Sequence, residues 1–216
     1  MQLSLHRPIE IFDILEVPQY VNGLKAVVFD MDDTLYGEKE YVRSGYRQIA
    51  AILPQVQNAE KKLWEFFEEK KPAIDELLKT EGIDSEETKL ECIKTYRFQK
   101  PEIHLYDGVK EMIQELRRKG IKIGLITDGR PEGQRAKIEA LGLEELVDEI
   151  IVTDEFGGAE FRKPNPLAFE IMKDRLDVEY SEMCYVGDNI NKDFIAPQNL
   201  GMRAIWFKNQ DGLYVR

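Results

Sequence analysis

The sequence predicts an α/β protein, a doubly wound parallel sheet that carries an inserted block of α-helices. Three observations carry that expectation. Five short runs rich in apolar and β-branched residues recur along the chain, at 24–30, 121–127, 149–153, 183–187 and 203–207. Helical patterns separate the last four, and strands that alternate with helices imply a parallel sheet. Between Tyr36 and about Tyr106 the strand signal disappears and amphipathic helical periodicity takes over.

Residues 24–30 (Leu-Lys-Ala-Val-Val-Phe-Asp) form an apolar run that ends in an acid, as a buried strand ending at a site would. The next 70 or so residues predict three or four helices rich in Glu, Lys and aromatics. Leu63, Trp64, Phe66, Phe67, Ile74, Leu77 and Leu78 supply an inner face, and Pro72 marks a break. Asp107-Gly108 then precedes a helix with Val109, Met112, Ile113 and Leu116 on one face. Lys119-Gly120 closes it, and Arg118 and Lys119 suit its C-terminal dipole. After the second strand, Pro131 occupies a first helical turn, Ile138 and Leu141 give the apolar stripe, and Gly142 ends it. Asn165-Pro166 reads as the N-cap and first position of the following helix. The expected organisation is a core of residues 1–35 and 107–216 with a helical unit at 36–106.

Composition narrows the function. A chain of 216 residues, 43% hydrophobic and 33% charged, can bury a substantial core. Its net charge of -11 repels phosphate backbones and anionic lipid surfaces, so nucleic acid is not an expected partner. A small phosphorylated ligand meets the same field, and a site for one needs a local cation, either a metal or a well-placed lysine. Cys92 and Cys184 lie far apart in no metal-ligand spacing, which favours a reducing, cytoplasmic setting. No run approaches the roughly 18 apolar residues of a membrane span, and no secretory leader is evident.

In an open parallel sheet, ligands collect beyond the carboxyl ends of the strands. Three strand ends here carry unusual polar residues: Asp30 and Asp32 with Thr34, then Thr127-Asp128-Gly129, then Gly187-Asp188-Asn189 with Asp193 a short loop on. Lys163 precedes Pro164 after the third strand. Asp30 and Asp32 in one turn, with Asp188, make an oxygen-rich set suited to Mg2+, and no sulfur or imidazole ligand accompanies them. Asp30 is the candidate nucleophile, attacking phosphorus to form an aspartyl-phosphate. A cation and the ammonium of Lys163 would offset the repulsion between two anions. Asp32 is the candidate acid/base, protonating the leaving oxygen and then accepting a proton from water, with its backbone carbonyl left for the metal. Thr127, with Asp128 beside it and Gly129 relaxing the backbone, offers a hydroxyl and nearby N–H groups to a phosphoryl oxygen.

These residues resemble the four motifs of the haloacid dehalogenase-like hydrolase superfamily: Asp30-Met31-Asp32-Asp33-Thr34, Thr127, Lys163, and Gly187-Asp188 to Asp193. The resemblance spans about residues 24–207 and implies a Rossmann-like core. It also implies Asp30 as nucleophile, Asp32 as acid/base, Thr127 and Lys163 on the phosphoryl group, and Asp188 on magnesium. Asp193 would serve the metal through water or by orienting Lys163. A helical block directly after the first motif is similar to the family's C1 cap, a lid over small substrates. Only about 35 residues separate Thr127 from Lys163, too few for the larger alternative cap. The second acid, Asp32, favours phosphate chemistry over dehalogenation. Phe194-Ile195-Ala196-Pro197 replaces the usual Gly-Ala after Asp193 and predicts a small change in local helix packing. The expected activity is hydrolysis of a small phosphomonoester, a sugar phosphate or nucleotide. Two alternatives remain open: a phosphomutase or phosphotransferase using the same site, and a catalytically silent binding module.

Overall fold

The computed structural model describes residues 7–213. The first six residues of the N-terminal segment, from which the absence of a leader was inferred, lie outside that range, as do 214–216. The chain divides into two compact units. One comprises the residues up to Glu38 together with those from His104 onward; the other is Lys39–Ile103.

Among the described residues, six parallel strands build the first unit: β1 (Ile9–Ile11), β2 (Ala26–Phe29), β3 (Lys122–Thr127), β4 (Glu149–Val152), β5 (Met183–Gly187) and β6 (Arg203–Phe207). They lie in the order β1-β6-β5-β2-β3-β4. The five strands expected from sequence are present, and β2 is buried at every position, as a continuous Ala-Val-Val-Phe run at the centre of a covered sheet must be. Past β2 the chain builds outward through β3 and β4, then returns to place β5 on β2's other flank. The carboxyl ends of β2 and β5 therefore flank a topological switch point, where a crevice opens in such sheets. Asp30 continues the ladder beyond β2, its N–H donating to the Val186 carbonyl at 2.8 Å.

β1 was not anticipated. Its three residues are too short to show a period, and only pairing with β6 (Ile9 opposite Ile205, Ile11 opposite Phe207) makes them a strand. Ile11, Ile14 and Val17 are buried there, and a short helix α1 (Val17–Tyr20) follows.

The flanking helices are α6 (Val109–Arg118), α7 (Pro131–Ala140), α8 (Leu143–Leu146), α9 (Leu167–Leu176) and α10 (Ile195–Leu200). The stripe Val109, Met112, Ile113 and Leu116 is buried as patterned. α9 begins one residue later than expected, with Pro166 at the cap position, but Asn165 Oδ1 accepts the Leu167 N–H at 3.0 Å. The capping interaction read from the sequence is thus present, and the boundary differs by one residue. After Asp193, Phe194, Ala196 and Pro197 are buried where α10 begins.

The second unit is a core of four helices, α2 (Glu38–Ile52), α3 (Ala59–Glu68), α4 (Ala73–Thr80) and α5 (Glu86–Arg97). Leu63, Leu77 and Leu78 are buried with Ile49, Leu53 and Cys92, while Trp64, Phe66, Phe67 and Ile74 pack at the margin, partly exposed. Each fully buried Leu there contributes about 1.5–3 kcal/mol. Pro72 caps α4 and separates it from α3, and the Ser85 hydroxyl caps α5 by accepting the Thr88 N–H. Gly45 is required where α2 passes α5, because a Cβ there would lie 2.5 Å from the Tyr96 ring.

Candidate active site

All the site residues proposed from sequence fall in the first unit, at the carboxyl ends of β2, β3 and β5 or in the loops just beyond, except Lys163, which lies in the segment between β4 and α9. Two clusters form around the two acids of the first motif.

Asp30 is 3% exposed and sits against Lys163, whose Nζ lies 2.7 Å from Asp30 Oδ1, 2.7 Å from the Tyr185 hydroxyl and 2.9 Å from Asp193 Oδ1. An ammonium is tolerated in such a buried position only with this kind of pairing. Asp193 is fully buried, and its second oxygen accepts the Asn189 N–H at 2.9 Å. Gly187 makes room for that turn: a Cβ at this position would meet Asp193 Oδ2 at 2.5 Å.

Asp30, Asp188 and Asp193 each bring a carboxylate oxygen within 4.8 Å of the others. Burial pushes the Asp188 carboxyl up to about 9, with Asp30, Asp193 and Asp33 adding to the rise. Burial likewise pushes Asp30 up to about 6, against the pull of Lys163. Three crowded acids with one shared ammonium are short of positive charge, and an all-oxygen donor set fits a hard divalent cation. The haloacid dehalogenase-like hydrolases generally use Mg2+, and this triad can bind a metal.

Asp32 is not part of that triad. Its carboxylate is turned to another set of donors: Oδ1 accepts from the Tyr36 hydroxyl at 2.5 Å and from Lys137 Nζ at 2.6 Å, and Oδ2 accepts from Gln134 Nε2 at 2.9 Å. Burial acts to raise its pKa, but the charge of Lys137 and the three hydrogen bonds outweigh it and hold the carboxyl below its ordinary value. Any contact from Asp32 to a cation is left to its backbone carbonyl, because both side-chain oxygens are engaged.

Thr127 is fully buried at the end of β3, and its hydroxyl accepts from Gln134 Nε2 at 2.5 Å. Asp128 follows Thr127 at the end of β3. Its carboxylate, grouped by sequence with the phosphate binders, is occupied by the Thr153 hydroxyl at 3.0 Å, the Lys163 N–H at 3.1 Å and Lys192 Nζ at 2.9 Å. An anionic side chain has no donor for a phosphoryl oxygen, so this carboxylate holds two lysines in place, and only its backbone is suited to an anion.

Asp33 adopts a left-handed backbone (φ 53°), and its side chain accepts the N–H groups of Glu38 at 2.8 Å and Leu213 at 2.6 Å. It thereby ties the start of α2 and the chain's last described residue to the motif loop.

Sequence reasoning missed Tyr36, Gln134, Lys137, Tyr185 and Lys192. One signal was available. Gln134 and Lys137 lie three apart on α7, facing the core beside Ile138, where a helix ordinarily buries apolar side chains. Lys192, inside the fourth motif, sits one residue before Asp193. With Lys163 and Lys137 it places three ammonium groups against the acids of the site.

A model of the haloacid dehalogenase-like hydrolase family matches residues 24–201. A glyceraldehyde 3-phosphate phosphatase of Methanocaldococcus jannaschii is 27% identical over 200 residues, covering 84% of each chain. The enzyme of that name from Methanothermobacter thermautotrophicus is 30% identical over 194 residues, again with 84% of each chain. Among solved structures, the magnesium-bound HAD-hydrolase YfnB of Bacillus subtilis superposes with a TM-score of 0.62 at 20% identity, over 85% of this chain and 86% of its own. At that identity the likeness is one of fold.

Proposed function

The chain belongs to the haloacid dehalogenase-like hydrolase family, and from that premise we propose that it is a Mg2+-dependent phosphomonoester hydrolase working through a phosphorylated Asp30. The observation that carries this reading is the setting of Asp30. Its carboxylate stands at the switch point of the sheet, 2.7 Å from the ammonium of Lys163 on one side and within the Asp188–Asp193 acid cluster on the other.

Asp30 and Asp188 would hold the metal, with Asp193 behind them because its two oxygens already face Lys163 and the Asn189 N–H. When bound, Mg2+ supplies positive charge to the phosphoryl oxygens and to the crowded acids. Asp30 attacks phosphorus, and the bond to the leaving oxygen breaks as Asp32 donates a proton to it. Lys163 and the Thr127 hydroxyl hold the phosphoryl oxygens throughout. In the second step Asp32 takes a proton from water as that water attacks the phosphorylated Asp30, releasing inorganic phosphate and restoring the carboxylate.

The resting structure presents Asp32 ionised, ready for the second step. Arrival of a phosphate dianion beside it raises its proton affinity for the first.

The substrate class in this reading is a small phosphorylated metabolite, a sugar phosphate or nucleotide. The three-carbon ester named for the two relatives is the first to assay. We assign the helical unit the part of a cap that selects among such substrates. A cytoplasmic setting belongs to the same reading, in keeping with the buried thiols Cys92 and Cys184. Among the described residues no helix is long and apolar enough to cross a membrane.

The test is Asp30→Asn, assayed for phosphate release from glyceraldehyde 3-phosphate and from an aryl phosphate with Mg2+ present. Turnover should fall by at least about 10⁴-fold with the circular dichroism unchanged. Retained turnover would remove Asp30 from the mechanism.

A further inference from the structure

We propose that Gln134 and Lys137, successive core-facing residues of α7, are positioning residues for the acid/base carboxylate of Asp32. This rests on the assignment of Asp32 made above and extends it to two residues outside the four motifs.

Both residues are 4% exposed, in a helix whose one other buried residue is Ile138. Burying an amide and an ammonium at positions that could hold apolar side chains costs free energy unless each is met by partners. Their partners are chemical groups of the site. Lys137 Nζ donates to Asp32 Oδ1 at 2.6 Å; Gln134 Nε2 donates to Asp32 Oδ2 at 2.9 Å and to Thr127 Oγ1 at 2.5 Å. With the Tyr36 hydroxyl on Oδ1, three donors converge on one carboxylate and fix its rotamer.

The backbone is built around the same contact. Gly129, at φ 143°, lies against Gln134, and a Cβ there would meet the Gln134 side chain at 3.0 Å. Gln134 thus couples the group that binds a phosphoryl oxygen to the group that moves the proton. Lys137 sets which way the proton-carrying oxygen points. Neither residue touches the reacting atoms in this assignment; both act through Asp32.

A positioning role and a merely structural one differ in their dependence on the leaving group. p-Nitrophenolate leaves without help, whereas the alkoxide of glycerol 3-phosphate needs a proton from Asp32. The constant kcat/KM reports the transfer to Asp30 and is blind to the later hydrolysis. With the full chain and saturating Mg2+, Lys137→Met should lower kcat/KM for glycerol 3-phosphate by about tenfold or more and for p-nitrophenyl phosphate by less than about threefold. Gln134→Met removes two hydrogen bonds at nearly constant volume. It should discriminate in the same direction, so the question stays answerable if the lysine variant folds poorly. Lys137→Gln, which keeps a donor, should recover part of the loss.

Asp32→Asn is the reference and should discriminate most strongly. Equal losses on both esters in the α7 variants, or no loss, while Asp32→Asn discriminates, would overturn the positioning role. If Asp32→Asn itself treats the two esters alike, the acid/base assignment falls and this proposal falls with it.

Discussion

Asp30 and Asp32 stand two residues apart in one loop, and their surroundings push them in opposite directions. Burial raises both. At Asp30 it prevails, because Lys163 divides its charge between Asp30 and Asp193, and the carboxyl is pushed up to about 6. At Asp32 it loses, because Lys137, Tyr36 and Gln134 converge on a single carboxylate. Identical residue types thus become, on one side, an acid crowded by other acids and short of cations and, on the other, an anion with donors on both oxygens. Environment, not residue type, sets the two carboxyls apart, and the roles proposed for them follow that division.

The largest effect should come from removing the shared cation. Lys163→Met leaves Asp30 and Asp193 buried without an ammonium, which costs about 3–5 kcal/mol of stability. It also takes a charge from the phosphoryl group, lowering kcat by about 10²–10³-fold. Urea unfolding and steady-state kinetics measure the two losses. If Lys137→Met proved equally costly in stability, the contrast between a shared and a dedicated lysine would be wrong.

A second effect concerns metal and pH. Asp188, held up to about 9 by burial and its acidic neighbours, keeps a proton that the unfolded chain releases near the ordinary carboxylate value of 3.8. Its contribution to stability therefore declines as pH rises between those values, and a bound cation reverses this by displacing the proton. Magnesium should raise the Tm more at pH 8 than at pH 6, its affinity tightening by up to about tenfold per pH unit. A Tm increment independent of pH would show that the crowded acids of the Asp30 side are not the metal site.

The smallest effect lies on the other side. Burial, with the charge of Asp32 next, pushes Glu38 up to about 8 from 4.5. A raised acid loses stability as pH climbs through that window, so Glu38→Gln should match the parent at pH 5 and exceed it at pH 9 by about 1 kcal/mol, or about 2–4 °C in Tm. In an Asp32→Asn background the gain should shrink. If it stays the same, Asp32 is not the charged neighbour that the contrast requires.

Much of this was legible in the chain. Short β-branched apolar runs such as Ala-Val-Val-Phe read as buried strands, and the acids and Thr that follow them then fall at strand ends. The stripe of α6, the break at Pro72 and the cap at Asn165 are local chemistry, and local chemistry is written in sequence. β1 was not, because three residues acquire strand character only from pairing with β6.

The site divides along the same line. The sequence by itself determined the acids, the threonine and the lysine of the four motifs, since their types and their places after strands are fixed by the order of residues. Tertiary structure alone decided what each faces. It brought Lys137 and Gln134 onto Asp32 across more than 100 positions of chain, and it set the Asp128 carboxylate against the Lys163 N–H and Lys192 Nζ. Hydrogen bonds and charge act over a few ångströms of space, and separation along the chain says nothing about that distance.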